Sequence, residues 1–234
     1  MTKKFDFYQG KITLQNGPGC YKITEDPLWL LSVLPLDKKS YLEVGCATGV
    51  LSLILKLKNK DAKIKAIDIQ ECMINQALEH AKENNIEGIE FTKQNLFSLP
   101  NNEQYDCVFS NPPFFNDCCC DSIKDEIKGI AYLQTDIISF ISKQLELVKA
   151  GGVLCFMGHI STRDDILRCF KNKVALTEIA LVSCEERPAK RFIYIIEKTD
   201  SKHFKHHDIN SYDEKLRKDI LFLYQSLMVD YISN

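Results

Sequence analysis

The chain has 234 residues and a formal net charge of −2, with 45% hydrophobic and 26% charged residues, the make-up of an ordinary globular protein. No apolar run approaches the roughly eighteen residues of a membrane helix, and the opening MTKKFDFYQGK lacks the apolar centre of a signal peptide, so a cytoplasmic location is expected. A charge near zero argues against bulk, nonspecific nucleic-acid binding but leaves room for a local basic face.

From about residue 40 short β-like runs alternate with longer helical ones. Residues 40–44, 63–68, 89–92, 105–110 and 153–158 read as strands, and 49–58, 71–84, 134–149 and 162–171 as helices. Such alternation implies βαβ units, right-handed crossovers and a mainly parallel sheet with helices on both faces. Two further β-rich runs, 175–183 and 192–197, are separated by too few residues for a helical crossover and should pair antiparallel. Residues 212–231 read as a final helix with Leu216, Ile220, Leu223 and Leu227 on one face. With no repeat or linker, the expected organisation is an N-terminal extension, 1–39, packing on one domain, 40–234.

The ten cysteines fit a reducing compartment, since none form C-x-x-C pairs. Cys46, Cys72, Cys107, Cys155 and Cys169 lie in apolar periodic segments where a free thiol packs as a small hydrophobe. Adjacent Cys118, Cys119 and Cys120 are poorly placed for metal or redox work. His203, His206 and His207, in a Lys-rich segment, are read as solvated, and no metal site is expected.

The first βα junction, YLEVGCATGVL, carries Glu43, Gly45, Ala47 and Gly49. Gly45 gives a tight turn, and Gly49 would let backbone approach a ligand at a helix N-terminus, where unpaired N–H groups attract an anion. The second strand ends in Asp68, 19 residues beyond Gly49, the usual place for an acid that binds a ribose diol. A dinucleotide site wants G-x-G-x-x-G, and Ala47 and Val50 stand where its later glycines belong. The acid-x-Gly-x-Gly-x-Gly pattern of S-adenosylmethionine sites fits better, with one departure at Ala47. Asn95, after the third strand, is placed to meet an adenine amino group or to serve as a polar loop residue.

The fourth strand ends in SNPPFF, residues 110–115. A residue before proline is held extended, so Asn111 is presented rigidly beyond the carboxyl ends of the strands, where ligands bind in open α/β sheets. Its side-chain oxygen and the Pro112 carbonyl could accept both hydrogens of a planar amino group, with Phe114 stacking on the substrate. The alternative is a proline-terminated strand with Phe114 and Phe115 in the core.

At these residues the chain resembles class I S-adenosylmethionine-dependent methyltransferases with the Asn-Pro-Pro-aromatic motif of amino-group methylation, shared by adenine-N6, guanine-N2 and glutamine-N5 enzymes. YKITEDPLWLLSVLP (21–35), RPAKRFIYIIEK (187–198) and INSYDEKLRKDILFLYQSLM (209–228) are similar to segments of bacterial tRNA1(Val) adenine-37 N6-methyltransferases. The resemblance implies a Rossmann-like α/β fold, a mostly parallel seven-stranded sheet with an antiparallel C-terminal hairpin. It implies S-adenosyl-L-methionine held by Asp26, Glu43, Gly45, Cys46, Ala47, Gly49, Asp68, Ile69, Asn95 and Leu96. Asn111, Pro112 and Phe114 would receive the amine, and Asp26 would cap a helix beginning at Pro27. This sequence departs from the pattern at Ala47, for Gly, and Asn95, for Asp. The implied activity is methylation of adenine N6 in RNA, foremost a tRNA anticodon loop. Guanine N2 in RNA, a protein glutamine amide and a non-catalytic nucleotide- or RNA-binding module are the alternatives. Arg187, Lys190 and Arg191 with Lys202, Lys205, His206 and His207 form a candidate basic rim for RNA, or ordinary solvated side chains.

Overall fold

The computed structural model describes residues 3–7, 10–16, 26–112, 136–183, 186–214 and 216. The chain opens with a two-stranded hairpin, β1 (Lys3–Phe7) and β2 (Ile12–Asn16), followed by helix α1 (Asp26–Val33). Strands β3 (Ser40–Val44), β4 (Lys63–Asp68), β5 (Ile89–Lys93), β6 (Tyr105–Ser110) and β7 (Val148–His159) then run parallel. Among them stand α2 (Val50–Lys58), α3 (Glu71–Glu83) and α4 (Ile137–Glu146), with α5 (Ile160–Phe170) after β7. A hairpin of β8 (Ala175–Val182) and β9 (Arg191–Glu197) adds antiparallel to β7, and β10 (His203–Asn210) lies parallel to β8. The order across the sheet is β10-β8-β9-β7-β6-β3-β4-β5.

The sheet therefore has eight strands where seven are expected. The eighth arises because β9 ends level with the start of β8, so a short turn carries the chain past β8 to its open edge. Such a return needs no helical crossover, because β10 runs antiparallel to β9. Its sequence, HFKHHDIN, hides the strand: His206 is spent on a buried carboxylate, Ile209 alone is buried, and Phe204 packs only partly against the other core. Strand β7 is also longer than the expected 153–158, since Val148 already pairs with Tyr105 before a register shift. This leaves α4 to end at Glu146.

Central strands buried on both faces read as nearly unbroken apolar runs. Alternate residues of β3, β6 and β7 thus feed two cores. Tyr41, Cys107, Phe109 and Cys155 meet α1 and α2, together with Ile12 and Leu14 of β2. Leu42, Val44, Val108 and Phe156 meet α4 and α5. This arrangement leaves the carboxyl ends of β3, β4, β5 and β6 side by side at one edge of the sheet.

Beyond Leu216 the expected tail helix lies outside the described residues, as do Phe114, Phe115 and the three adjacent cysteines. No helix among the described residues is long and apolar enough to cross a membrane.

Candidate active site

The site begins at β3, whose last residue, Val44, stands opposite both Ile67 of β4 and Ser110 of β6. The next residues along these strands are Gly45, Asp68 and Asn111, so the register brings the glycine turn, the acid and the Asn-Pro tip to adjacent positions. This is the juxtaposition on which the sequence reading depends. Pro112 is buried directly behind Asn111.

The 45–49 loop is pinned by its own backbone. Gly45 and Cys46 donate N–H bonds to the Ile67 carbonyl at 2.8 and 3.0 Å, and Gly49 donates to the Cys46 carbonyl at 2.8 Å. Ala47 donates to Asp68 Oδ2 at 2.9 Å. The turn takes positive φ at Gly45, Ala47 and Gly49, of 73°, 46° and 77°. For Ala47 the left-handed region costs roughly 1–2 kcal/mol, and its bond to Asp68 helps hold it there. A Cβ on Gly45 would meet nothing within 4 Å, so this turn faces open space. Gly49 is different. A Cβ there would stand 2.8 Å from both Ala77 Cβ and Phe91 Cε1. On that side the missing Cβ lets α2's entry pack closely against α3 and β5.

The two acids have separate surroundings. Glu43 is buried under the loop, its Oε2 accepting from Ser52 N at 3.1 Å and from the Ser52 hydroxyl. A protein carboxyl thus claims an N–H at the start of α2, the anion site expected for a ligand. Burial pushes the Glu43 carboxyl up to about 8, against the opposing pull of the Ser52 bonds. Asp68 is 7% exposed and accepts one N–H on each oxygen, from Ala47 and from Gln70 at 2.9 Å. Burial raises its pKa, opposed by those N–H bonds. With the Ile69 N–H also acting on it, the carboxylate still keeps a lone pair with which to accept from a hydroxyl.

Beside Asp68, Gln94 N bonds to the Asp68 carbonyl, which holds Asn95 and Leu96 next to the acid. The Asn95 side-chain oxygen accepts from Phe97 N at 3.0 Å and caps the short 3-10 turn Leu96–Ser98, so its amide N–H2 is the group left to meet a base. Leu96 is buried and Cys46 is buried, whereas Ile69 and Phe97 are 43% and 45% exposed at the ends of β4 and β5. Burial also pushes the Cys46 thiol well up, so it stays a neutral packing group.

At the β6 tip, Asn111 Oδ1 is buried and has no hydrogen-bond partner among the described residues, and the same holds for the wholly buried Ser110 hydroxyl. A buried acceptor left unmatched costs roughly 1–3 kcal/mol. A ligand amino group would satisfy it.

Asp26 stands on α1. It is the first residue of α1 rather than a cap before Pro27, and its Oδ2 accepts from Arg191 Nε at 3.3 Å. That pair ties α1 to the start of β9, next to His159 of β7, and no described contact joins Asp26 to the 45–49 loop. The expected basic rim also divides. Arg191 stands level with Leu181 near the end of β8, whereas His203 stands level with Ala175 at its start. Six strand residues, roughly 20 Å, separate the two groups, and His206 is bound to Glu178 and Asp208.

Ser52, His80, Phe97 and Ser110 escaped the sequence reading. For Ser110 the signal was a hydroxyl at a strand position whose neighbours are all buried.

Residues 22–127 match the methyltransferase small domain family. That match covers a little under half of the chain. Among curated relatives, the malonyl-[acyl-carrier protein] O-methyltransferase of Acetivibrio thermocellus is 34% identical over 139 residues, 56% of this chain and 41% of that protein. The tRNA1(Val) (adenine(37)-N6)-methyltransferase of Pseudoalteromonas translucida is 30% identical over 80 residues, 34% of each chain. The chain therefore spans well under half the length of both relatives. Among solved structures, the T. thermophilus 16S rRNA guanine-N2 methyltransferase, in complex with S-adenosylmethionine and guanosine, superposes with a TM-score of 0.59 at 15% identity. That match covers 85% of this chain and 50% of that one. The sheet and its flanking helices are thus a Rossmann-like class I methyltransferase fold.

The cofactor that goes with the methyltransferase small domain and this fold is S-adenosyl-L-methionine. The residues present fit it. The Gly45 turn opens onto free space, the Asp68 carboxylate retains acceptor capacity, and the apolar Ile69 and Phe97 are exposed just beyond the neighbouring ends of β4 and β5.

Proposed function

We propose that the protein is an S-adenosylmethionine-dependent methyltransferase that modifies the exocyclic N6 of adenine in RNA, foremost tRNA. The observation that carries this reading is the buried Asn111 oxygen, without a partner among the described residues, one residue beyond Ser110, which pairs with Val44 just before the Gly45 turn. Asp68 would bind the ribose hydroxyls, Ile69, Leu96 and Phe97 the adenine ring, with the Asn95 amide donating to a ring nitrogen. The Gly45–Ala47 turn would line the methionine end, over the neutral Glu43 carboxyl. When bound, the cofactor supplies an electrophilic methyl group on a sulfonium.

The protein's own contribution is orientation. An exocyclic amine has its lone pair delocalised into the ring and attacks poorly. Asn111 Oδ1 accepting one hydrogen, with the Pro112 carbonyl accepting the other, aims the nitrogen and restores some lone-pair density. Neither group is a base near neutral pH, so the effect is positional and electrostatic, and the proton leaves once nitrogen is cationic. Phe114 would stack on the base. An unpaired anticodon-loop adenine is reachable without opening a duplex. The exposed Arg187 and Lys190, on the same side of the sheet as Asn111, suit the phosphates of such a loop.

Incubation with methyl-labelled donor and either total RNA or a protein extract tests the assignment. Label recovered as N6-methyladenosine supports it. Label recovered as N2-methylguanosine or in peptides overturns the substrate, and tight donor binding without transfer overturns the activity.

A further inference from the structure

Strand β2 has an edge that β1 does not cover, and α3 covers it with side chains. Asn84 accepts from Thr13 N at 2.6 Å and donates back to the Thr13 carbonyl at 2.8 Å. His80 Nε2 lies 3.1 Å from Gln15 N, and Gln76 Nε2 reaches the Gln15 carbonyl at 3.4 Å. Residues 76, 80 and 84 follow one helix face, and the spacing matches. Four helical residues rise about 6 Å and two strand residues about 6.7 Å, so a helix can act as the missing partner strand.

His80 does more than its neighbours. It is wholly buried, and its second ring nitrogen, Nδ1, lies 3.0 Å from the carbonyl of Thr48 in the 45–49 loop. Gln15 N can only donate, so Nε2 must accept, and the neutral ring then carries its hydrogen on Nδ1, where it donates to Thr48. The hairpin thereby fixes the tautomer, and the tautomer fixes the loop. We propose that His80 is a positioning residue that makes cofactor affinity depend on docking of the N-terminal hairpin. This rests on reading the 45–49 loop as the cofactor loop. Ala47 is held at positive φ one residue before Thr48, so loss of the imidazole bond frees the turn where it is least relaxed.

Calorimetric titration of S-adenosylhomocysteine into the full chain tests this, using wild type, His80→Phe, Gln15→Pro and the double variant. Gln15 N faces α3 rather than β1, so proline there removes the bond to His80 and the exposed side-chain bond to Glu83 but no ladder bond. Each single variant should bind roughly three- to tenfold more weakly, and the double variant no more weakly than His80→Phe. Nitrogen NMR of the wild-type ring should show hydrogen on Nδ1 and none on Nε2. Unchanged affinity in a folded single variant, additive losses in the double variant, or a hydrogen on Nε2 would each overturn the proposal. Should His80→Phe not fold, Gln15→Pro and the ring measurement decide alone. Failure of the wild type itself to bind overturns the cofactor reading of the loop, and this inference with it.

Discussion

At Asn111 the proposed chemistry rests on one amide oxygen that is buried with no hydrogen-bond partner among the described residues. Replacing it with alanine should lower methyl transfer by about a hundredfold or more, the usual cost of one preorganised polar contact to the reacting group. Affinity for S-adenosylhomocysteine should stay within about threefold, which separates substrate orientation from cofactor binding; equal transfer by variant and wild type would end the mechanism. Gly49→Ala tests a different residue. Its Cβ would collide with Ala77 and Phe91 at a positive φ, so unfolding in urea should show a loss of about 3 kcal/mol. The short motifs announced Gly45, Asp68 and Asn111, because each serves through backbone shape or terminal position, which sequence spacing records. They did not announce Ser52 or His80, whose partners lie 9 and 32 residues away and are set by packing.

On the scale of elements, the β3–turn–α2 unit places a carboxyl under a helix start, and its ionisation couples to folding. Glu43 is raised from 4.5 to about 8 by burial. Below pH 4.5 folded and unfolded chains both hold this proton. Between there and about pH 8 the unfolded carboxyl ionises while the folded one does not, so this group's contribution to stability falls as pH rises and levels off above 8. Wild type should therefore lose stability relative to Glu43→Gln between pH 5 and pH 8, read as urea midpoints; a constant difference would contradict a protonated Glu43. The turn between β8 and β9 carries the second prediction. Arg187→Glu with Lys190→Glu should weaken RNA binding tenfold or more at low salt, and flatten its salt dependence, without altering cofactor affinity. Unchanged RNA binding would remove this turn from the interface. The parallel strands and the β8–β9 hairpin were legible because apolar runs and loop lengths specify them. Strand β10 was not, since its pattern is polar and its place is fixed by an open edge and the buried Glu178.

For the whole molecule, the sheet register brings the glycine turn, the Asp68 acid and the Asn111 strand tip to adjacent positions, which the proposed function reads as one site. The fold was readable from the alternation of strands and helices, and the cofactor from the glycine turn with the acid at the end of the next strand. The substrate was not, because on the proposed reading the Asn-Pro-Pro tip would take any planar amine, and what brings that amine in is decided by surfaces with no sequence signature. The most direct measurement is the N6-methyladenosine content of tRNA from cells lacking this protein, with and without a restored copy. The modified nucleoside should disappear from at least one tRNA and return with the wild-type copy but not with Asn111→Ala. An unchanged content in the deletion, or full recovery with Asn111→Ala, would contradict the account.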